Sequence, residues 1–153
     1  MPRKLLVKYR TIPSFVIYRT AFRDDKLVYV ICANKQLRYH LGKSCIAYIG
    51  TTKKGAIRIA SSAVWKGGDL LYQYGIKHLA CHIVTCGKVP GTETWKKLER
   101  ALLLRFRERF GEVPRANNVG KKCCWRDEKK YFSEQKLDKV VDGLRQVIRG
   151  TPE

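Results

Sequence analysis

The sequence predicts an α+β domain: a small, mostly antiparallel β-sheet flanked by helices, with an added C-terminal helix. Three observations predict it. Two β-rich runs, residues 26–33 (KLVYVICA) and 45–51 (CIAYIGT), are joined by a polar connection, as in an antiparallel pair. Apolar residues at helical spacing recur in three later segments. A single further strand stands between the first and second of these. The 153 residues are enough for one domain with its own core, and a 44% apolar share argues against disorder.

In chain order, residues 1–25 hold two short apolar stretches around Thr11-Ile12-Pro13 and read as an extension packing on the core. The first strand, 26–33, is rich in Val, Ile and Tyr. Residues 34–44 are polar and basic, contain Gly42, and are expected to form a hairpin loop. The second strand is 45–51. Residues 53–65 place Ile57, Ala60 and Val64 at helical spacing, with Arg58 and Ser62 together on an adjoining face. Gly67-Gly68 is expected to end that helix. Residues 77–85 (KHLACHIVT) read as a third strand, and Val89-Pro90-Gly91 as a turn. A long helix follows over 94–110, with Thr92 or Thr94 as its cap, Gly111 as its stop and Pro114 to prevent its return. Residues 115–130 form a basic loop. The last helix, 133–149, carries Leu137, Val140, Val141, Leu144 and Ile148 on one side, with Gly150 where a C-cap belongs. The organisation is thus an extension (1–25), a core (26–120), and a basic loop with an amphipathic helix (121–153).

Charge narrows the function. Lys and Arg number 32 against 13 Asp and Glu, a formal net charge of +19. Such a field favours a polyanion, with nucleic acid ahead of an anionic membrane. No apolar run is long enough to span a bilayer, the first ten residues lack the apolar core of a signal peptide, and no helix has a wide basic face opposite bulky apolar anchors. A cytoplasmic, non-membrane protein is expected, with its six cysteines as free thiols. His78, Cys81, His82 and Cys86 suggest zinc on paper, but their stretch alternates like a strand and lacks a second ligand pair at the usual spacing.

One acid is out of place. Projected at about 100° per residue, the helix 94–110 puts Trp95, Leu102, Leu103, Phe106 and Phe110 on one face. Glu99 falls in the middle of that face, whereas Glu108 points the other way. A carboxylate among aromatics must be paired, bound to a cation or protonated, because isolated burial costs several kcal/mol. Either it is the rim partner of a nearby arginine or it serves chemistry.

Tyr29 and Tyr48 stand on neighbouring strands, where matched positions bring side chains to about 5 Å. Tyr48-Ile49-Gly50 ends its strand, Gly50 would let the backbone turn close to a ligand, and Arg58 follows on a helix. Here the chain resembles the GIY-YIG nuclease family. Leu27-Val28-Tyr29 stands where Gly-Ile-Tyr is typical, Tyr48-Ile49-Gly50 is intact, and Arg58 lies ten positions beyond that tyrosine, as the family's catalytic arginine does. Glu99 fits the metal-binding glutamate. The family asparagine follows a proline after that helix: counting from Pro114 favours Asn117, and the following Val119 favours Asn118. The resemblance covers roughly residues 26–119. It departs at Leu27, in a longer spacing between the tyrosine motifs, and at Ser62, four positions after the arginine, where His or Tyr is usual. His78, His82 or Lys66 could substitute there.

The resemblance implies a metal-dependent DNA endonuclease. Glu99 would hold one divalent cation, magnesium or manganese, against a non-bridging oxygen and the leaving 3′ oxygen. A lone carboxylate suits magnesium, which keeps most of its waters. Arg58 would stabilise the phosphate's charge. Tyr29 would activate water, helped by nearby cations that ease loss of the phenol proton. Tyr48 would orient the water or bind phosphate, and Asn117 or Asn118 would hold the site's backbone or touch the metal shell. Gly50, Lys35, Arg38, Lys43, Lys53, Lys54, Lys121 and Lys122 are expected to meet double-stranded or branched DNA around the site. Trp65, Trp95 and Trp125 are candidates for base stacking, with Trp125 foremost and Trp95 a core residue. One site cuts one strand, so a homodimer is an option. Two alternatives are a catalytically weak or inactive nucleic-acid-binding module on the same scaffold, and a basic structural protein of the ribosomal kind.

Overall fold

Both hairpin strands run further than their β-rich cores. The computed structural model describes residues 6–8, 11, 25–117 and 128–146, with the side chains at 56, 57, 60 and 62–64 left aside. Strand β1 spans Leu27–Tyr39 and β2 spans Gly42–Thr52, so the predicted loop shrinks to His40-Leu41. The β1–β2 ladder bulges at 33–36 and resumes at Leu37, because Leu37 and Tyr39 point inward, with Leu37 opposite Ser44 and Tyr39 opposite Gly42. Tyr39 donates its hydroxyl to the Ile46 carbonyl at 2.6 Å and packs edge-on against Phe106 at 5.0 Å.

Helix α1 spans Gly55–Gln73 and passes through Gly67-Gly68, which do not end it. Gly67 is used for its missing side chain: a Cβ there would lie 3.1 Å from Leu79 Cδ1, so the helix rides close to the third strand. That contact outweighs the roughly 1 kcal/mol a helical glycine costs. Strand β3 is Leu79–Val84. It pairs antiparallel with β1, giving the sheet order β2-β1-β3.

Helix α2 spans Thr94–Phe110, as predicted. Its N-cap is Glu93, with no side-chain cap bond, rather than Thr92 or Thr94; Thr94 is buried. Gly111 ends it in the left-handed region at φ 80°. A Cβ at Gly111 would also meet His40 Cβ and Leu41 Cγ at 3.0 Å, so the glycine lets the hairpin tip sit on the helix end, where Leu41 N–H donates to the Phe110 carbonyl. A 3₁₀ turn at Glu128–Tyr131 interrupts the predicted basic loop, and α3 spans Glu134–Gly143, capped by the Ser133 hydroxyl. Arg105 forks onto Asp138 (Nε–Oδ1 2.6 Å, Nη2–Oδ2 2.9 Å) and pins α3 to α2.

The pleat separates two layers of core. Leu27, Tyr29 and Ile31 share one face with Ile59 of α1. Val28 and Val30 share the other with Leu98, Leu102 and Phe106 of α2 and Leu137 and Val141 of α3. The chain is therefore an α+β domain in three layers, with its sheet in the middle. The predicted order of strand, strand, helix, strand, helix, helix is the observed one. Among the described residues no helix is long and apolar enough to cross a membrane.

Candidate active site

The two tyrosines meet diagonally. Tyr29 pairs with Gly50, and Tyr48 pairs with Ile31. The ladder then slips between Ile31 and Cys32, where Ala47 is an extra residue in β2. The rings lie 5.8 Å apart at 44°. What brings them together is Gly50: a Cβ there would lie 2.5 Å from Tyr48 Cε1 and 2.8 Å from its hydroxyl oxygen. Gly50 was expected to open space for a ligand, and the Tyr48 ring occupies that space instead. Gly50→Ala must push the phenol off its seat. If the site reacts as proposed below, cleavage falls on the order of 10²-fold, as for a misplacement near 1 Å. The melting temperature moves little, and paired rate and melting measurements separate the two effects.

Tyr29, Tyr48, Arg58, Ser61, Trp65 and Lys66 line one cleft of about 290 Å³. Tyr29 is 3% exposed, so little more than its edge faces the opening. Arg58 is exposed, in the second turn of α1. Ser61, three residues on, donates its hydroxyl to the Arg58 carbonyl at 3.0 Å. Lys66 Nζ stands 5.2 Å from the centre of the Tyr48 ring. Of the three candidates for the helper position, Lys66 is the one lining the cleft; the Ser62 side chain lies outside the described residues. Burial, then Tyr29, then the charge of Glu99 hold the Tyr48 phenol well above its ordinary range. Tyr48 is thus a neutral hydroxyl at physiological pH, able to donate a hydrogen bond to a phosphate oxygen or to orient water.

Glu99 lies on α2, one turn from Trp95 and Leu102, and is half-buried. Burial pushes its carboxyl up to about 7, against the opposing pull of Arg100 and Lys96. Among the described residues it has no hydrogen bond or ion pair, whereas Glu108 pairs with Arg105 at 3.2 Å. Glu99 does not line the cleft. Helix α2 packs on the opposite face of the sheet, and the charge of Glu99 is felt at Tyr48. Of the four expected side chains, three line the opening and Glu99 does not.

Asn117 is a positioning residue. It is 4% exposed; its Oδ1 accepts from Ile49 N–H at 3.0 Å and its Nδ2 donates to the Ile49 carbonyl at 2.8 Å. The amide thus acts as a short strand on the open edge of β2, between Tyr48 and Gly50, next to the bond from Ala116 N–H to the Ala47 carbonyl. Asn117→Ala strips both partners from Ile49 and should cost about 2–4 kcal/mol. Asn117→Asp keeps the acceptor, loses the donor and should fall between. Urea unfolding measures both. Asn118 lies outside the described residues.

The cationic residues divide. Lys53 and Lys54 are exposed at the junction of β2 and α1, beside the cleft. Lys26, Lys53 and Lys96 gather at the same end around Glu93, which Lys96 contacts at 2.7 Å. Lys35, Arg38 and Lys43 were expected around the site. They are exposed on the hairpin instead: Arg38 and Lys43 pair about 20–25 Å along β2 from the Tyr29–Gly50 pair, and Lys35 lies in the bulge between, because pairing resumes where a loop was predicted. Lys121, Lys122 and Trp125 lie outside the described residues. Trp95 is a core residue, with Lys26 over its ring at 4.6 Å. Cys81 and His82 are successive residues of β3 and so take opposite faces. Sequence reading missed Ser61, although its i+3 spacing from Arg58 signals it. No protein-family model, curated protein or solved structure matches this chain.

Proposed function

We propose that this protein is a metal-dependent DNA endonuclease of the GIY-YIG type. The observation that carries the reading is the cleft of two phenols and two cations, Tyr29, Tyr48, Arg58 and Lys66, with the charge of a half-buried carboxylate, Glu99, felt at Tyr48; among the described residues that carboxylate has no hydrogen bond or ion pair. A structural salt bridge would leave Glu99 paired, and among the described residues it makes no ion pair.

Hydrolysis forms a bond from water oxygen to phosphorus and breaks the bond to the 3′ oxygen. Arg58 donates to the phosphate oxygens and offsets the charge that grows there. Tyr29, in the same cleft as Arg58 and Lys66, orients the attacking water and relays its proton: the phenol oxygen accepts that proton as its own passes to solvent, and the departing 3′ oxygen is protonated from water. Tyr48 keeps its own proton and donates to a phosphate oxygen. Asn117 holds Ile49, and with it the positions of Tyr48 and Gly50. Glu99 is the residue to hold magnesium: a lone, partly ionised carboxylate suits an ion that retains most of its waters. When bound, that ion supplies positive charge to the leaving oxygen. Among the described residues no group of three or more His, Cys, Asp or Glu gathers as an all-protein cage.

The test is cleavage of supercoiled and branched DNA with magnesium or with a chelator, using the protein and its Glu99→Ala and Arg58→Ala variants. Magnesium-dependent nicking that both substitutions reduce is the expected result. Cleavage surviving both undiminished overturns the reading. The second reading, a binding module without chemistry, is favoured by the position of Glu99 outside the cleft lining. It predicts salt-sensitive binding and no magnesium-dependent product.

A further inference from the structure

Trp65 is the anomaly of this surface. It lines the cleft with Arg58, Tyr48 and Lys66, yet it is 84% exposed. Two turns further along α1, about 10 Å away, Tyr72 is 91% exposed. Positions 58, 65 and 72 are seven apart, and seven residues return a helix to within about 20° of the same direction. Arg58, Trp65 and Tyr72 therefore form one outward stripe that starts at the cleft. Asp69, also exposed, lies between the rings on the same side. Its charge repels phosphate, so this stretch offers stacking faces rather than backbone contacts.

We propose that this stripe is the path of an unpaired strand: Trp65 stacks the base beside the phosphate held by Arg58, and Tyr72 stacks a base further on. The substrate class is then single-stranded or branched nucleic acid, not plain duplex. This deepens the endonuclease reading and rests on it for the position of the cut. The choice of occupant follows from chemistry at the stripe. Bases in a duplex have their faces covered, whereas an unpaired base gains a ring to stack on, and Arg58, Lys66, Lys53 and Lys54 supply the charge that draws in its backbone. Duplex DNA would meet two bare rings and an acid.

Binding is measured first, in chelator, so that no cleavage intervenes. Labelled single-stranded and duplex oligonucleotides of one sequence are titrated with the protein and with Trp65→Ala, Trp65→Phe and Tyr72→Ala. Trp65→Ala should weaken single-strand binding on the order of tenfold, and duplex binding by less than about twofold. Trp65→Phe should stay near the parent, and Tyr72→Ala should show a smaller loss than Trp65→Ala. An unchanged affinity, or an equal loss on both nucleic acids, overturns the proposal; a stripe that docks protein would give the former. Magnesium-dependent cutting of a flapped duplex is then compared. A single-strand-specific loss without any cutting keeps the stacking path and removes the nuclease. Cutting with Trp65→Ala indistinguishable from the parent removes the path and keeps the nuclease.

Discussion

Glu99→Gln should give a protein that is more stable at pH 8 and no longer cleaves. Burial raises the Glu99 carboxyl to about 7 from an ordinary 4.5. The folded state therefore binds more protons than the unfolded state between those values. The group's favourable contribution is complete below pH 4.5 and is lost as pH rises through 7. Above pH 7 the folded protein carries a buried charge that the unfolded chain would rather expose. Glutamine removes that charge with almost no change in shape. After allowance for the partly exposed carboxylate, the gain at pH 8 is about 1–3 kcal/mol in the absence of metal, and it vanishes at pH 4. Cleavage should fall by at least about 10³-fold, because the amide cannot take the place of an anionic ligand. In the parent, cleavage should rise with pH up to about 7 and level off above it, since the proton and the cation compete for one carboxylate. Thermal melts at the two pH values, with plasmid cleavage alongside, check all three statements. A melting temperature that drops at pH 8 would mean Glu99 is paired after all.

Arg58→Ala should reduce cleavage about 10²–10³-fold, the range for removing a donor aimed at developing charge. The side chain is exposed on α1, so stability should change by no more than about 0.5 kcal/mol. Arg58→Lys should recover only part of the loss. Lysine keeps the charge but not the planar fork that grips two phosphate oxygens. Single-turnover kinetics with saturating protein separate this from weaker binding: the loss should appear in the rate of the bound complex. A loss confined to affinity would make Arg58 one more phosphate contact and would favour the binding module.

Much of the fold was legible locally. The spacing of Trp95, Leu98, Leu102 and Phe106 sets α2, and Gly111 sets its end, because helix periodicity and a left-handed cap are properties of neighbours in sequence. The misses have one character. Residues 34–39 look like a loop, yet Leu37 and Tyr39 bury in the core. Gly67-Gly68 look like a stop, yet the helix passes through them to meet Leu79. In each case a contact with a distant segment outweighs a local preference of about 1 kcal/mol.

The candidate site divides the same way. The sequence by itself singled out the candidates, Tyr29, Tyr48, Arg58 and Glu99, and put one acid on an apolar helix face, because residue type and period are written along the chain. Only the tertiary structure decided that Tyr48 folds over Gly50, that α2 with Glu99 packs on the other face of the sheet, and that Trp65 stays in water. It also decided that Asn117 holds a backbone 68 residues away. The physical reason is that pairing register and burial are shared properties of segments far apart, so no window of sequence contains both partners.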